Sequence, residues 1–260
     1  MRRFTKKIVF AILFFFFSCC SFAQTFYHHN NFWSRVFLSD QLTKKIKAEV
    51  LLQSRWQNGE KKSLNIFDHH QLKSYWLWLH YDLSDKTRVS VTPFCYFATK
   101  PLVVNPVDKF ARPVKEYRWA VRIDNQQRLS AFTYINRYGL EYRLRDINSE
   151  GVYEPNWRAR YMFRFHFPIE VSWLRERSLQ FITYEEVQLQ FGKAVKANPN
   201  VFDQNRLYAG FNYQLFKNIR TELGYLNVIQ QKRSGTEFDL QNALFFVVHF
   251  DNVFSQFSDK

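Results

Sequence analysis

The segment NRYGLEYRLR, residues 136–145, carries two chemistries in alternation. Tyr138, Leu140, Tyr142 and Leu144 fall on one side of an extended chain. Arg137, Gly139, Glu141, Arg143 and Arg145 fall on the other, because successive side chains of a strand point to opposite faces. A soluble β-sandwich or a periplasmic barrel also alternates, but its buried face is aliphatic and its outer face mixed and polar. Here one face is built of aromatic and aliphatic groups and the other is heavy in arginine. A barrel in lipid fits that pairing: the apolar face turns outward to acyl chains and the polar face inward to a wet or self-paired lumen.

The same period of two recurs along the chain. In 45–56, Ile46, Ala48, Val50, Leu52 and Trp56 oppose Lys47, Glu49, Gln53 and Arg55. In 71–83, Tyr75, Leu77, Leu79, Tyr81 and Leu83 share a face. In 87–97, Val89, Val91, Pro93, Cys95 and Phe97 are read together, opposite Arg88, Ser90 and Thr92. In 115–124, Tyr117, Trp119, Val121 and Ile123 oppose Glu116, Arg118, Arg122 and Asp124. In 157–167 a Trp, Tyr and Phe face opposes Arg158, Arg160, Arg164 and His166. Segments 179–191, 206–215, 219–229 and 239–250 continue the pattern, and 31–38 adds an earlier strand. Each is long enough to cross a bilayer when tilted.

The connections alternate in length. Short ones fall at 39–44, 84–86, 125–127 and 216–218, and longer ones at 57–70, 98–114, 146–156, 192–205 and 230–237. The piece 168–178 is a long turn on the short side. This pattern predicts an all-β fold: a single up-and-down antiparallel transmembrane β-barrel of about 10–12 strands, with short turns at one end and long loops at the other. Eleven segments are counted. Single-chain bacterial barrels have even strand numbers, so ten or twelve is expected.

The bulk properties agree. The chain begins with Arg2, Arg3, Lys6 and Lys7, then the apolar run IVFAILFFFF and the small-residue site SFA before Gln24. That is the pattern of a signal peptide over 1–23, leaving 24–260 as the barrel and directing export to the outer membrane of a Gram-negative envelope. The formal net charge is +14, and removal of the leader's four basic residues lowers it to +10. An exported chain with charges spread along strands argues against nucleic acid as a partner. Only Cys95 remains after the leader, so no internal disulfide can form. The expected partners are outer-membrane lipid, the barrel-assembly machinery and small acidic solutes.

The stretch FDQNRLYAGFNYQLFKNIRTELGYLN (202–227) resembles a family of bacterial exported proteins found mostly in Bacteroidota, domain of unknown function 2490. FWSRVFLSDQLTKKIKAEVLLQSRW, YRWAVRI, INRYGLEYRLR and YEEVQLQF are similar to its other parts. Positions matching its recurring pattern are Trp33, Arg55, Arg118, Arg137, Glu141, Arg143, Glu186, Asn205, Arg206, Gly210, Glu222, Gly224 and Tyr225. The resemblance implies an outer-membrane-barrel-like fold and supplies no activity. The chain departs from other outer-membrane barrels in ending FSQFSDK after Phe250, where many end on an aromatic residue.

The candidate functional residues are those predicted to face the lumen or solute: Arg118, Arg122, Arg137, Glu141, Arg143, Arg158, Arg160, Arg164, Glu186, Arg206 and Glu222, joined by Glu116 and Arg220. One reading is structural, with Arg–Glu pairs plugging a narrow tube. The other is a porin-like, anion-favouring channel or solute pocket, since inward arginine exceeds inward carboxylate. A lipid hydrolase is a third class. His166 and Glu186 would be its base and orienter, yet no G-x-S-x-G motif is present, and Ser172 and Ser178 lie near the turn without a distinguishing context. No catalytic residue, metal site or cofactor is assigned. His28, His29, His69 and His70 read as solvated loop residues. Trp76 and Trp78 read as girdle or lumen-filling groups. Gly139, Gly210 and Gly224 fall on inward faces, where they relieve crowding or permit a bend.

Overall fold

All eleven alternating segments form strands, and they close into one ring. The structure, a computed structural model, describes residues 25–59, 63–170 and 178–257. Its strands are β1 (Thr25–Gln41), β2 (Ile46–Gln57), β3 (His69–Ser84), β4 (Thr87–Thr99), β5 (Val114–Arg128), β6 (Thr133–Asp146), β7 (Glu154–Ile169), β8 (Leu179–Phe191), β9 (Phe202–Phe216), β10 (Ile219–Gln231) and β11 (Glu237–Asp251). Each pairs with its sequence neighbours, and β1 closes on β11. The expected leader at 1–23, and Ser172 with most of the turn at 168–178, lie outside the described residues.

The expectation of an even strand number fails at the closure. Both β1 and β11 start at the long-loop end and finish at the short-turn end, so they pair in parallel, from Thr25↔Glu237 to Ser39↔Asp251. The other ten junctions are antiparallel. A parallel ladder satisfies the same backbone groups with evenly spaced, slanted bonds, so the ring leaves no edge in lipid. Odd-stranded closure of this kind is known for a mitochondrial barrel. Beyond Asp251 the chain makes a short 3-10 turn at Ser255–Phe257. The backbone N–H of Ser255 donates to the Asp40 carboxylate at 3.0 Å, tying this tail to the end of β1.

The stretch 136–145 behaves as its alternation demands. Tyr138 is 53% exposed on the outer wall, while Glu141 and Arg143 are 2% and 3% exposed within. Trp119, Val121, Leu207, Phe211, Tyr225 and Leu244 also stand on the outer face. Side chains of neighbouring strands meet there as aromatic pairs, such as Tyr134 with Phe165 and Tyr138 with Tyr161.

Two details differ from the sequence reading. In β4 the register slips between Thr92 and Tyr96. Phe94 is therefore exposed, whereas Cys95 and Phe97 are buried in the barrel instead of sharing the outer face of Val91. One unpaired residue inverts every later side chain of a strand, which period-two reading cannot foresee. The turn expected at 125–127 lies at 129–132, because Asn125, Gln126 and Gln127 remain paired with Asn136, Ile135 and Tyr134.

The interior is not wholly ionic. Trp33, Ile182, Tyr208, Val228 and Phe245 form one apolar cluster inside, and Leu51, Trp76, Trp78, Cys95 and Phe97 form another. Phe37 touches both. Trp76 and Trp78 stack at 5.3 Å between ring centroids, so they fill the lumen rather than lie at the membrane interface. Gly210 faces Gly224 across the β9–β10 ladder. A Cβ on Gly210 would meet the Tyr208 hydroxyl and lie 2.6 Å from the Leu223 carbonyl oxygen. The two glycines thus let the Tyr208 ring lie against a closely packed strand pair.

Candidate functional site

Every one of the predicted lumen residues lies inside the barrel, and the structure joins them around a few carboxylates. Glu116 (β5) accepts from Arg118 beside it and from Arg143 across the ladder, the latter through two bonds of 2.6 and 2.8 Å. Arg145 lies 3.3 Å away. Glu141 (β6) meets Arg118 at 3.2 Å, Arg158 at 3.7 Å and the Arg160 guanidinium. Glu186 (β8) accepts from Arg160 at 2.6 Å, from Arg206 at 3.3 Å and from the Gln188 amide at 2.7 Å. Nearer the short-turn end, Asp124 pairs with Arg137 and Arg122, Glu222 with Arg164, and Asp251 with Arg220. Bidentate arginine–carboxylate geometry across adjacent strands fixes both register and spacing.

Two cavities lie in the lumen. One of about 830 Å³ lies toward the long-loop end; one of about 280 Å³ lies toward the short turns. Arg35, Gln53, Trp76, Arg160 and Arg206 belong to the walls of both. The larger chamber is partly roofed by the β4–β5 loop, which folds inward. The Gln57 side chain holds that loop, donating to the Pro101 carbonyl at 3.1 Å and accepting from the Val103 N–H at 2.9 Å. Leu102 and Val103 are buried as a result.

Charge in this chamber is lopsided. Its lining carries twelve lysines and arginines and four aspartates and glutamates. Arg35 and Arg55, at its floor, form none of the ion pairs found among the described residues. Arg55 is 7% exposed, and the charges that act on it most are Arg206, Arg35, Arg118 and Arg158, all of its own sign. Neutral groups hold it instead. Its guanidinium lies 3.4 Å from the Trp33 ring centroid, and it donates to the Gln53 amide oxygen at 2.7 and 3.0 Å when that amide is turned to present oxygen. Arg35 lies 5.0 Å from the centroid of Phe245. Sequence reading placed Arg55 inward without marking its lack of a partner, and it missed Arg35 and also Asp203, which lies 2.6 Å from the Arg158 guanidinium. The period-two signal was present in β1, but pairing is a property of the closed ring.

Other expectations are revised by the geometry. His166 bonds Gln180 at 3.2 Å; Glu186 sits opposite Met162, four residues back along β7, and is occupied by arginines. The proposed base–orienter pair is therefore not assembled, and Ser178 is exposed at the short-turn end. The histidine pairs lie in β1 and β3 rather than in loops. His29 is buried against Asp239 at 2.9 Å, and His70 meets Ser54 at 3.2 Å. A Ser90–His80–Glu49 series does occur, with Ser90 Oγ 2.8 Å from His80 Nδ1 and Glu49 3.5 Å from His80 Nε2. Ser90 is fully buried and borders neither cavity, so a substrate carbonyl cannot reach it.

A closed sheet with an aromatic outer wall and an ionic interior defines a transmembrane β-barrel of the outer-membrane class. The chain belongs to the family described as "Protein of unknown function (DUF2490)", which matches residues 30–239, from β1 into β11. No curated protein matches the sequence. Among solved structures it is similar to LpxR from Salmonella typhimurium, at 7% identity and a TM-score of 0.46, over 82% of this chain and 84% of that one. It is also similar to the siderophore receptor PirA from Pseudomonas aeruginosa, at 12% identity and a TM-score of 0.31, over 75% of this chain and 37% of that one.

Proposed function

We propose that this barrel resides in the outer membrane of a Gram-negative envelope, exported by its signal peptide, and that its long-loop chamber is a blind pocket for anionic solutes. In that setting the long loops face outward. One observation carries the reading: Arg35 and Arg55 stand at the chamber floor with no carboxylate partner among the described residues, under a lining of twelve basic and four acidic residues. Buried like charges repel strongly where the dielectric is low. A bound anion removes that penalty, and the positive potential draws anions in.

The pocket is favoured over a conducting channel because arginine–carboxylate pairs and two apolar clusters occupy much of the lumen. The test pairs two measurements. In planar bilayers the purified barrel is expected to show no stable conductance step. In solution, inorganic phosphate or citrate at constant ionic strength is expected to raise its unfolding midpoint, and Arg55→Gln to abolish that rise. Anion-selective conductance would establish a channel instead. A second, purely structural reading has its own support in the Glu116, Glu141 and Glu186 hubs. It predicts that neither anion moves the midpoint.

A further inference from the structure

The polar groups that line the larger chamber are of two kinds, and their mixture narrows the ligand. The first kind is guanidinium donors: Arg35, Arg55, Arg143 and Arg158 all line it. The second kind is amides. Gln71, at the start of β3, and Gln190, near the end of β8, line the same chamber, and Gln190 forms no side-chain hydrogen bond among the described residues. A polar group shut off from water without a partner costs free energy, so a ligand that fills the chamber must answer both kinds.

A compact inorganic anion cannot span both. Phosphate carries hydroxyls beside its acceptors, but a single ion at the arginine floor does not also reach Gln71 on β3 and Gln190 on β8, which lie on opposite sides of the ring. A neutral sugar answers only the second and leaves Arg35 and Arg55 unscreened. The volume also exceeds what one small ion needs, since about 300–1,000 Å³ is the range of pockets that enclose a drug-sized ligand.

We infer that the chamber binds an anionic saccharide, with an acidic group at the Arg35–Arg55 floor and hydroxyl groups on the Gln71 and Gln190 walls. This rests on the anion-pocket reading and goes beyond it in naming the ligand class. The acidic group is a carboxylate, sulfate or phosphate borne on a sugar, since all three present oxygen acceptors to arginine. The mouth lies at the long-loop end, so the saccharide enters from that side.

The experiment titrates the full-length barrel in detergent micelles with trigalacturonate, maltotriose, glucose-6-phosphate and inorganic phosphate. Binding is read by calorimetry and by Trp fluorescence, as Trp76 lines the chamber. At least one of the two acidic sugars is expected to bind tenfold or more tightly than both maltotriose and inorganic phosphate. Which of them binds distinguishes a carboxylate from a phosphate source. Gln71→Leu is expected to weaken the acidic sugar at least fivefold and leave phosphate binding unchanged. Arg55→Gln should weaken both. Folding of each variant is checked by the faster gel mobility of the unboiled barrel, and Gln190→Leu serves as the second wall variant if Gln71→Leu does not fold. If phosphate binds as tightly as either acidic sugar, the saccharide inference is overturned and the anion pocket stands. If no anion binds, both fall.

Discussion

Replacing Gly210 by alanine should damage this barrel, whereas the same change at Gly139 should not, although both glycines sit on inward faces of their strands. A Cβ at 210 would lie 2.6 Å from the Leu223 carbonyl oxygen and 2.7 Å from the Gly224 Cα, besides meeting the Tyr208 hydroxyl. Two of those three obstacles are backbone, so a rotamer change in Tyr208 cannot clear the space; β9 and β10 must separate. Overpacking of this kind costs about 1–3 kcal/mol, and backbone obstacles push toward the upper part of that range. At Gly139 the nearest atom would be the Arg160 Cβ at 3.6 Å, an ordinary contact. There alanine only removes the extra freedom of the unfolded chain and should stabilise by about 0.5–1 kcal/mol. The assay is equilibrium urea unfolding in lipid vesicles, followed by tryptophan fluorescence and by the mobility shift between boiled and unboiled samples. The midpoint of Gly210→Ala is expected to fall and that of Gly139→Ala to hold or rise, with unchanged slopes. Adding Tyr208→Phe to Gly210→Ala should recover only part of the loss, because the Leu223 carbonyl remains. Equal shifts for the two alanine variants would refute the close-approach argument.

Glu116→Gln should cost about 3–5 kcal/mol, the range for breaking one side of a buried ion pair, because it strips a shared partner from Arg118 and Arg143; urea midpoints measure it, and a loss under about 1 kcal/mol would show that water reaches the hub. Cysteines at Phe32 and Leu244, which pair on the parallel β1–β11 seam, should form a crosslink in the folded barrel, whereas Phe32 with Phe250 should not; crosslinking of the second pair alone would overturn the odd-stranded closure. Glu222→Met should destabilise less than Arg164→Met, because it leaves an arginine whose side chain is 21% exposed, while Arg164→Met leaves a carboxylate only 4% exposed without its guanidinium partner; the order of the two unfolding midpoints decides it.

Much of this protein was legible in its alternation. A run such as NRYGLEYRLR commits Tyr138 and Leu140 to one face and Glu141 and Arg143 to the other in any pleated conformation. Only lipid outside and a charged lumen inside suit those two faces together. The eleven strands, the inward arginines and the long-loop end followed from that local rule. The even strand number did not, because parity is set by how the first and last strands meet, which no single segment encodes. Nor did the inversion at Cys95 and Phe97, where one extra residue in a bulge outweighs the pattern on either side. The sequence also separated a paired arginine from an unpaired one only in part. Arg118 has Glu116 two residues before it on its own face, where Arg55 has Gln53. Pairing of β5 with β6 adds Glu141 to the first, and pairing with β1 sets the Trp33 ring against the second, but only closure of the ring gathers like charges from distant strands around Arg55. The strand pattern decides which way a side chain points, a matter of backbone geometry within two residues. What it meets there depends mostly on residues tens of positions away, and that belongs to the tertiary structure alone.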